Sequence, residues 1–316
     1  MSYVYFPVEL HCHTIHSDGA MTPERLVDRA KRRGYSAIAL TDHNVYSACA
    51  AAKAAGESVG LTVIGGIEWT TFFGHAVCLS DDSGGVDWRD ITKTNIGSLA
   101  RLAKNNGAIV TVAHPKRMGY PVCTGCHWDF ETDDYGGFTA FEVWSQSEDG
   151  DSLQNRLSEQ FYRKLLNKGF RLSAVYGYDW HIERQGSENY FFNTYIGADG
   201  ASADELKDGL RRGDTYIASG LSAALYAGGR RLAFGSEIRS GKHVFDLKIG
   251  KGLCKGGVIP ETLEISGSAL RETVAAAVGN GVCLDLSPGW LMFKVYGLSE
   301  GRTKPLLVTS PIYVTD

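Results

Sequence analysis

The chain has 316 residues, 43% hydrophobic and 22% charged, enough for one large α/β domain or a domain of about 200 residues followed by a smaller one. No run approaches the roughly 20 apolar residues of a membrane helix, and a formal net charge of −4 argues against general attraction to nucleic acid, leaving only a local basic pocket open. Seven cysteines scattered along a long chain fit reduced thiols better than a disulfide framework. The start, MSYVYFPVELHCHT, has neither a basic nor an apolar leader region, so a soluble, cytoplasmic protein is expected.

From Val8 to about Leu210, short apolar runs alternate with helix-like segments, the pattern of βα units around a mainly parallel sheet or barrel. The runs are VELHCH, SAIALTDH, LTVIGGIEW, HAVCL, AIVTVAHP, FTAFEVW and RLSAVYGYDWH. Between the first two, TPERLVDRAKRRG predicts a helix: Thr22 caps it, Pro23 suits its first position, Leu26, Val27 and Ala30 form a stripe, and Gly34 ends it. A later helix begins at Ser202, which has capping-box spacing to Glu205 ahead of Leu206 and Leu210. After Tyr216 glycine becomes frequent and short alternating runs such as HVFDLKI, ETLEISG and WLMFKVYG appear, which predicts a β-rich C-terminal domain over 216–316 behind a first domain over 1–215.

His11 and His13, Asp42 and His43, Glu68, His114, and Asp179 and His181 all fall at the carboxyl ends of predicted strands, the edge where βα folds assemble their sites. Alternation along a strand turns His11 and His13 to one side and Cys12 to the other, and pairs Asp179 with His181 across Trp180. A lone histidine is more often a satisfied core or surface residue. Two such pairs together with TDH and AHP favour a catalytic centre for Zn, Mn or Fe(II), and the absence of an obvious thiolate ligand speaks against a structural zinc site.

These motifs resemble the PHP superfamily, named for polymerase and histidinol phosphatase. The likeness runs from ELHCHTIHSDGAMTPERLVDRAKRRGYSAIALTDHN through GIEWTTFFGHAVCL and IVTVAHP to YGYDWH, about residues 8 to 181. The segments from EVWSQSEDG to YGYDWH and ADELKDGLRRGDTYIASG are similar to the CehA/McbA-like branch. The resemblance implies a distorted (β/α)7 barrel, a small β domain after it, and two or three divalent metal ions. It places one ion on His11, His13, Glu68 and Asp179, a second on Glu68, His75 and His114, and a third on Asp18, His43 and His181. Glu68, Asp179 and His181 are then the groups closest to catalysis. His75 could instead be an ordinary loop residue and Asp18 a turn residue before Gly19.

The chain departs from its relatives in GYDWH, where Tyr178 and Trp180 either narrow the pocket, stack on a substrate ring or pack in the core, and at Ser145, where many relatives carry Asn. Cys123, Cys126 and His127 have the spacing of a haem-attachment motif, which would require export. A redox pair, an extra zinc site or a loop with incidental thiols are the other readings, the last favoured. His16, His127 and His243 match no ligand motif, although His16 lies near the motif loop, and the glycines of GLCKGG and GGRRLAFG lack the phosphate-loop order.

The expected reaction is attack on a phosphate ester by a metal-bridging hydroxide. Lys116 and Arg117 are placed either to meet phosphate oxygens or to remain solvated loop charges. The expected partner is a small phosphorylated substrate; oligomeric state stays open. The same ligands would also serve a carboxyl ester or carbamate hydrolase, or a non-catalytic metal-binding module.

Overall fold

The computed structural model describes residues 3–119, 125–146, 150–183, 191–253, 258–268, 270–275, 281–299 and 301–316. Cys123 of the haem-like motif and Cys254 of GLCKGG lie outside them. The chain forms a mixed α/β fold in which strands outweigh helices.

Ten strands build the first two thirds: β1 (Val4–Cys12), β2 (Ala37–Leu40), β3 (Thr62–Gly65), β4 (Ile67–Thr71), β5 (Gly74–Leu79), β6 (Ile109–Val112), β7 (Ala140–Ser145), β8 (Ser173–Gly177), β9 (Asn193–Ala198) and β10 (Thr215–Ala218). Five helices pack on them: α1 (Pro23–Arg33), α2 (Cys49–Val59), α3 (Ile96–Asn105), α4 (Leu153–Asn167) and α5 (Ala203–Arg212). The ends of α1 and α5 follow from their caps. Thr22 accepts from the Arg25 N–H, Pro23 opens α1, and Gly34 closes it at φ 86°, while Ser202 and Glu205 complete a capping box on α5. Leu26, Val27 and Ala30 of α1 are buried as the stripe predicts.

The strands form two sheets, and no closed barrel forms among the described residues. One sheet has the order β3-β2-β1-β9-β10, with β1 to β3 parallel and β9 and β10 antiparallel; the other runs β4-β5-β6-β7-β8. β4, β5 and β6 pair antiparallel rather than as parallel βα units. The cause is local: only Phe72 and Phe73 separate β4 from β5, whereas a parallel crossover needs about a dozen residues. Two single bridges join the sheets, Cys12 with Trp180 and His43 with Glu68.

Beyond β10 every regular element among the described residues is a strand. A four-stranded sheet (Leu221–Ala227, Arg230–Leu232, Gly241–Lys251 and Val282–Leu286) adds its own core around Leu225, Phe245 and Leu247. The first sheet continues across the expected boundary, because β10 pairs with Arg302–Thr309, and Trp290, Met292 and Val308 join the main core. No helix among the described residues is long and apolar enough to cross a membrane. Cys126 is disulfide-bonded, against the expectation of reduced thiols, whereas Cys12, Cys49, Cys78 and Cys283 are free.

Candidate metal centre

The two seams between the sheets carry the candidate ligands. His13 N–H donates to the Trp180 carbonyl and Trp180 N–H to that of His11, at 3.0 and 2.9 Å, so the HCH strand end and the DWH segment are stitched side by side. At the other seam Asn44 N–H donates to the Glu68 carbonyl at 3.0 Å and Glu68 N–H to that of Asp42 at 3.3 Å. All nine residues expected as ligands therefore meet at one place.

His11, His13, Glu68 and Asp179 form a fully buried group. Glu68 Oε2 is 3.3 Å from His11 Nε2 and 3.5 Å from His13 Nε2, and Asp179 Oδ1 is 2.9 Å from His13 Nε2. Glu68 is the hub: its Oε1 is 2.9 Å from His75 Nδ1 and 3.0 Å from His114 Nε2, and its Oε2 is 2.8 Å from His43 Nδ1. A third group, nearer solvent, has Asp18 Oδ1 at 3.0 Å from His181 Nε2 and 3.3 Å from His43 Nε2. Asp18 and His75, the two with ordinary loop alternatives, point into the cluster with the others.

Asp42 does not. It accepts from the Thr14 N–H and hydroxyl at 2.7 Å and from Ser17 Oγ at 2.6 Å, and so anchors the loop that delivers Asp18. Gly19 closes that loop, where a Cβ would lie 2.6 Å from the His13 carbonyl carbon.

The residues fit cations on two observations. First, Nδ1 of His11 donates to Glu142 Oε1 at 2.7 Å, that of His114 to the Cys126 carbonyl at 3.1 Å and that of His181 to the Asp179 carbonyl at 2.8 Å. Each fixes the tautomer that turns a bare Nε2 inward. Second, Nε2 of His11, His13 and His75, Glu68 Oε2 and Asp179 Oδ1 are buried with no hydrogen-bond partner. Four of them, His11 Nε2, His13 Nε2, Glu68 Oε2 and Asp179 Oδ1, stand with each imidazole nitrogen within 3.5 Å of each carboxylate oxygen and would be costly unless a cation satisfied them.

Burial opposes charge on these groups, and their neighbours reverse the balance. His11, His43 and His75 hold Glu68 well below the ordinary carboxylate range, and His11, His13 and His114 do the same for Asp179. Burial pushes His13 down to about 4 despite Asp179. Burial also works against His11 and His43, yet the surrounding carboxylates raise both, His43 to about 10. The protons held there are the ones a divalent ion would displace.

Backbone strain collects at the same place. Five non-glycine residues among those described have positive φ, and four of them, Asn44, His114, Gln146 and Asp179, sit at the cluster. Arg117 Nη1 donates to Asp179 Oδ2 at 2.5 Å, and Gln146 Nε2 donates to the same oxygen. Arg117 also lines a cavity of about 440 Å³ with Lys116, Met118, His127, Trp128 and Asp129. Lys116 lies 4.9 Å from the Phe161 ring centre.

Tyr178 and Trp180 are buried beside Arg33, Tyr35 and Phe191, so both rings pack in the core. His16 bonds Ser47, His127 pairs with Asp129 at 2.8 Å, and His243 bonds the Arg239 carbonyl. Sequence reading missed Glu142, Gln146 and Glu9. Glu142 Oε2 also accepts from the His114 N–H at 2.7 Å, and Glu9 accepts from the His11 and Tyr178 N–H groups. Burial and the nearby Glu142 carboxylate push Glu9 up to about 8.

Residues 9–109 match the PHP domain family, a span that includes His11, His13, Asp18, His43, Glu68 and His75. Over 68 residues the chain is 39% identical to a 3',5'-nucleoside bisphosphate phosphatase of Chromobacterium violaceum, covering 22% of this chain and 24% of that protein. Over 64 residues it is 38% identical to a phosphoribosyl 1,2-cyclic phosphate 1,2-diphosphodiesterase of Eggerthella lenta, covering 20% and 24%. It is also 40% identical over 63 residues to a 5'-3' exoribonuclease of Haemophilus influenzae, covering 20% and 23%. The chain thus spans about a quarter of the length of these relatives. A two-domain protein of Bacteroides vulgatus containing a predicted PHP-like metal-dependent phosphoesterase superposes with a TM-score of 0.57, over 98% of this chain and 95% of that one, at 18% identity. That likeness is one of fold.

Proposed function

We propose that this protein is a metal-dependent hydrolase that cleaves phosphate esters, a PHP-type enzyme of the CehA/McbA-like branch. Its candidate ligands all fall within 1–215, in an open, two-sheet variant of the distorted (β/α)7 barrel that the PHP likeness implies, and 216–316 form a second, β-rich domain that shares the first sheet. The observation that carries the reading is the convergence of six imidazoles and three carboxylates, of which His11, His13, Glu68 and Asp179 turn unpartnered buried atoms toward one another. The names of the matched relatives, a phosphatase, a diphosphodiesterase and an exoribonuclease, agree with it.

His11, His13, Glu68 and Asp179 would hold one ion, Glu68, His75 and His114 a second, and Asp18, His43 and His181 a third, each of the Zn, Mn or Fe class. Bound there, such ions supply positive charge to a phosphoryl group and activate water near neutral pH. The protein's own residues set the geometry. Glu68 turns one oxygen to His11 and His13 and the other to His75 and His114, Arg117 and Gln146 hold the outer oxygen of Asp179, and Glu142 fixes His11 and His114 together. Arg117 both anchors Asp179 and lines the adjoining cavity, where its guanidinium can meet the substrate's phosphate oxygens. Only three carboxylates would face two or three divalent ions, so the centre keeps net positive charge and favours a dianionic ester over a neutral one.

Glu68→Gln tests the assignment. Turnover of phosphate esters should fall on the order of 100-fold or more while the melting temperature stays near that of the parent. His243→Ala, in an exposed C-terminal strand, should match the parent. Equal turnover of the Glu68 variant and the parent would contradict the reading.

A further inference from the structure

A second cavity, of about 450 Å³, lies where the first sheet meets the four-stranded C-terminal sheet, within the size range of small-molecule pockets. Strand register paves one side of it. Tyr5 of β1 stands opposite Gly197 of β9, and Tyr195 of β9 stands opposite Tyr216 of β10, so with Tyr3, two residues before Tyr5, four phenol rings share one face of three neighbouring strands. The rings touch in series: between centroids Tyr3 is 6.2 Å from Tyr5, Tyr5 is 4.9 Å from Tyr216, and Tyr216 is 4.7 Å from Tyr195. All four line the cavity. Tyr195 and Tyr216 are buried, whereas Tyr3 and Tyr5 are only partly covered.

Two cations line the same cavity. Arg231 lies 5.1 Å from the centre of the Tyr3 ring and 5.5 Å from that of Tyr5, and its Nη1 donates to the Tyr3 carbonyl at 2.8 Å. A guanidinium has five N–H donors, so others remain for a ligand. Lys251 ends the exposed edge of the strand Gly241–Lys251, and neither cation is in an ion pair among the described residues. No acidic side chain is among the described residues of the lining. Asp214, which accepts from the Tyr5 hydroxyl, brings only part of a charge at neutral pH because burial raises it to about 7.

This lining favours one kind of guest. A cation would be repelled by the two positive groups, and a neutral aliphatic molecule would leave them without a counter-charge. A planar aromatic ring gains stacked or edge-on contact with the phenols, and a carboxylate on it pairs with the guanidinium fork and the ammonium. Tyr5 precedes His11 by six residues of a single strand, so the cavity is about 20 Å from the candidate metal centre and separate from it.

We propose that this cavity is a second small-molecule site, which takes a planar aromatic carboxylate between the Tyr3 and Tyr5 rings and the charges of Arg231 and Lys251. Such a site is independent of whether the cluster cleaves phosphate esters.

The test is calorimetric titration of the full chain with 2-naphthoate, with neutral 2-naphthamide, and with decahydro-2-naphthoate, which keeps the charge and loses the aromatic ring. Binding of 2-naphthoate should saturate, about tenfold or more tighter than the amide and about threefold or more tighter than the decahydro acid. Arg231→Gln together with Lys251→Gln should bring 2-naphthoate down to the level of the amide, and Tyr3→Leu should narrow the gap to the decahydro acid. Lys242→Gln, an exposed cation elsewhere on the C-terminal sheet, should change nothing, and addition of Mn should leave the affinity as it was. Absence of saturable binding into the millimolar range, an affinity untouched by the double Gln substitution, or equal affinity for the aromatic and decahydro acids would overturn the proposal. Binding that requires Mn would place the ligand at the cluster and overturn it as well.

Discussion

Glu142 touches two candidate ligands at once, accepting from His11 Nδ1 through one oxygen and from the His114 backbone N–H through the other, both at 2.7 Å. A carboxylate behind a ligating imidazole fixes its tautomer and strengthens it as a donor to the ion. In Glu142→Gln the amide NH₂ cannot accept, so one of the two N–H groups loses its partner, and in Glu142→Ala both do. We expect about tenfold weaker metal retention for Gln and about 100-fold for Ala, measured by competition with a chelator of known affinity. Unchanged retention in Glu142→Ala would show that the carboxylate only fills space. At this scale the sequence was legible wherever candidate ligands come in pairs at strand ends, as in HCH and DWH, whereas in TDH only His43 joins the cluster. Glu142 was not, because a single Glu in the apolar run FTAFEVW has no local pattern and its partners lie 131 and 28 residues away. Tyr178 and Trp180 were ambiguous because the alternation that turns Asp179 and His181 to the cluster leaves open whether the intervening rings meet substrate or core.

The ends of β1, β2, β4, β5, β6, β7 and β8 hold the cluster, and Gly177 at the end of β8 lies against Glu142 of β7. A Cβ there would sit 2.1 Å from Glu142 Oε1, which is pinned by its hydrogen bond to His11. Gly177→Ala should therefore displace Glu142 and weaken metal retention about as much as Glu142→Ala does. The two changes together should cost little more than either alone, since both remove the same contact. Fully additive losses in the chelator assay would mean that Gly177 acts on something else. Helix ends were readable because caps are local: Thr22 and Gly34 of α1 and the capping box of α5 stand where the spacing put them. Sheet membership was not, because alternation fixes which face a side chain takes and leaves its neighbouring strand unspecified. The one clue was the short interval between GIEWTT and GHAVCL, which permits a hairpin and forbids a parallel crossover.

Across the whole molecule the C-terminal strands are tied to the part that carries the cluster through β10, through the buried pair of Lys294 and Glu159 at 2.7 Å, and through Asp214. Asp214 Oδ1 accepts from Tyr5 in β1 at 2.7 Å and from the Phe234 N–H at 3.0 Å, while Oδ2 is buried without a partner. Burial raises its carboxyl to about 7, with the Phe234 N–H and Arg231 opposing. The folded protein therefore holds a proton that the unfolded chain releases near pH 4. The stability this contributes is fully present below that value and is lost as pH rises through about 7. Relative to Asp214→Asn, the parent should lose up to about 3 kcal/mol between pH 5 and pH 8 in denaturant titrations, a comparison in which the metal cluster cancels. A constant difference between the two proteins across that range would mean Asp214 is not protonated in the fold. The change of texture after Tyr216 was visible in the sequence, but the shared sheet was not, because β10 and Arg302–Thr309 are far apart in the chain and pair only in space.

The central claim is that the converging imidazoles and carboxylates form a working phosphoesterase centre, and titration of metal-stripped protein with Mn, Zn or Fe(II) tests it most directly. Bound ions per chain and hydrolysis of a phosphate monoester are followed in the same samples. The account predicts saturation at two or three ions, with turnover rising as the sites fill. A chain that takes up no ion, or one that saturates with ions and hydrolyses no phosphate ester, would contradict it.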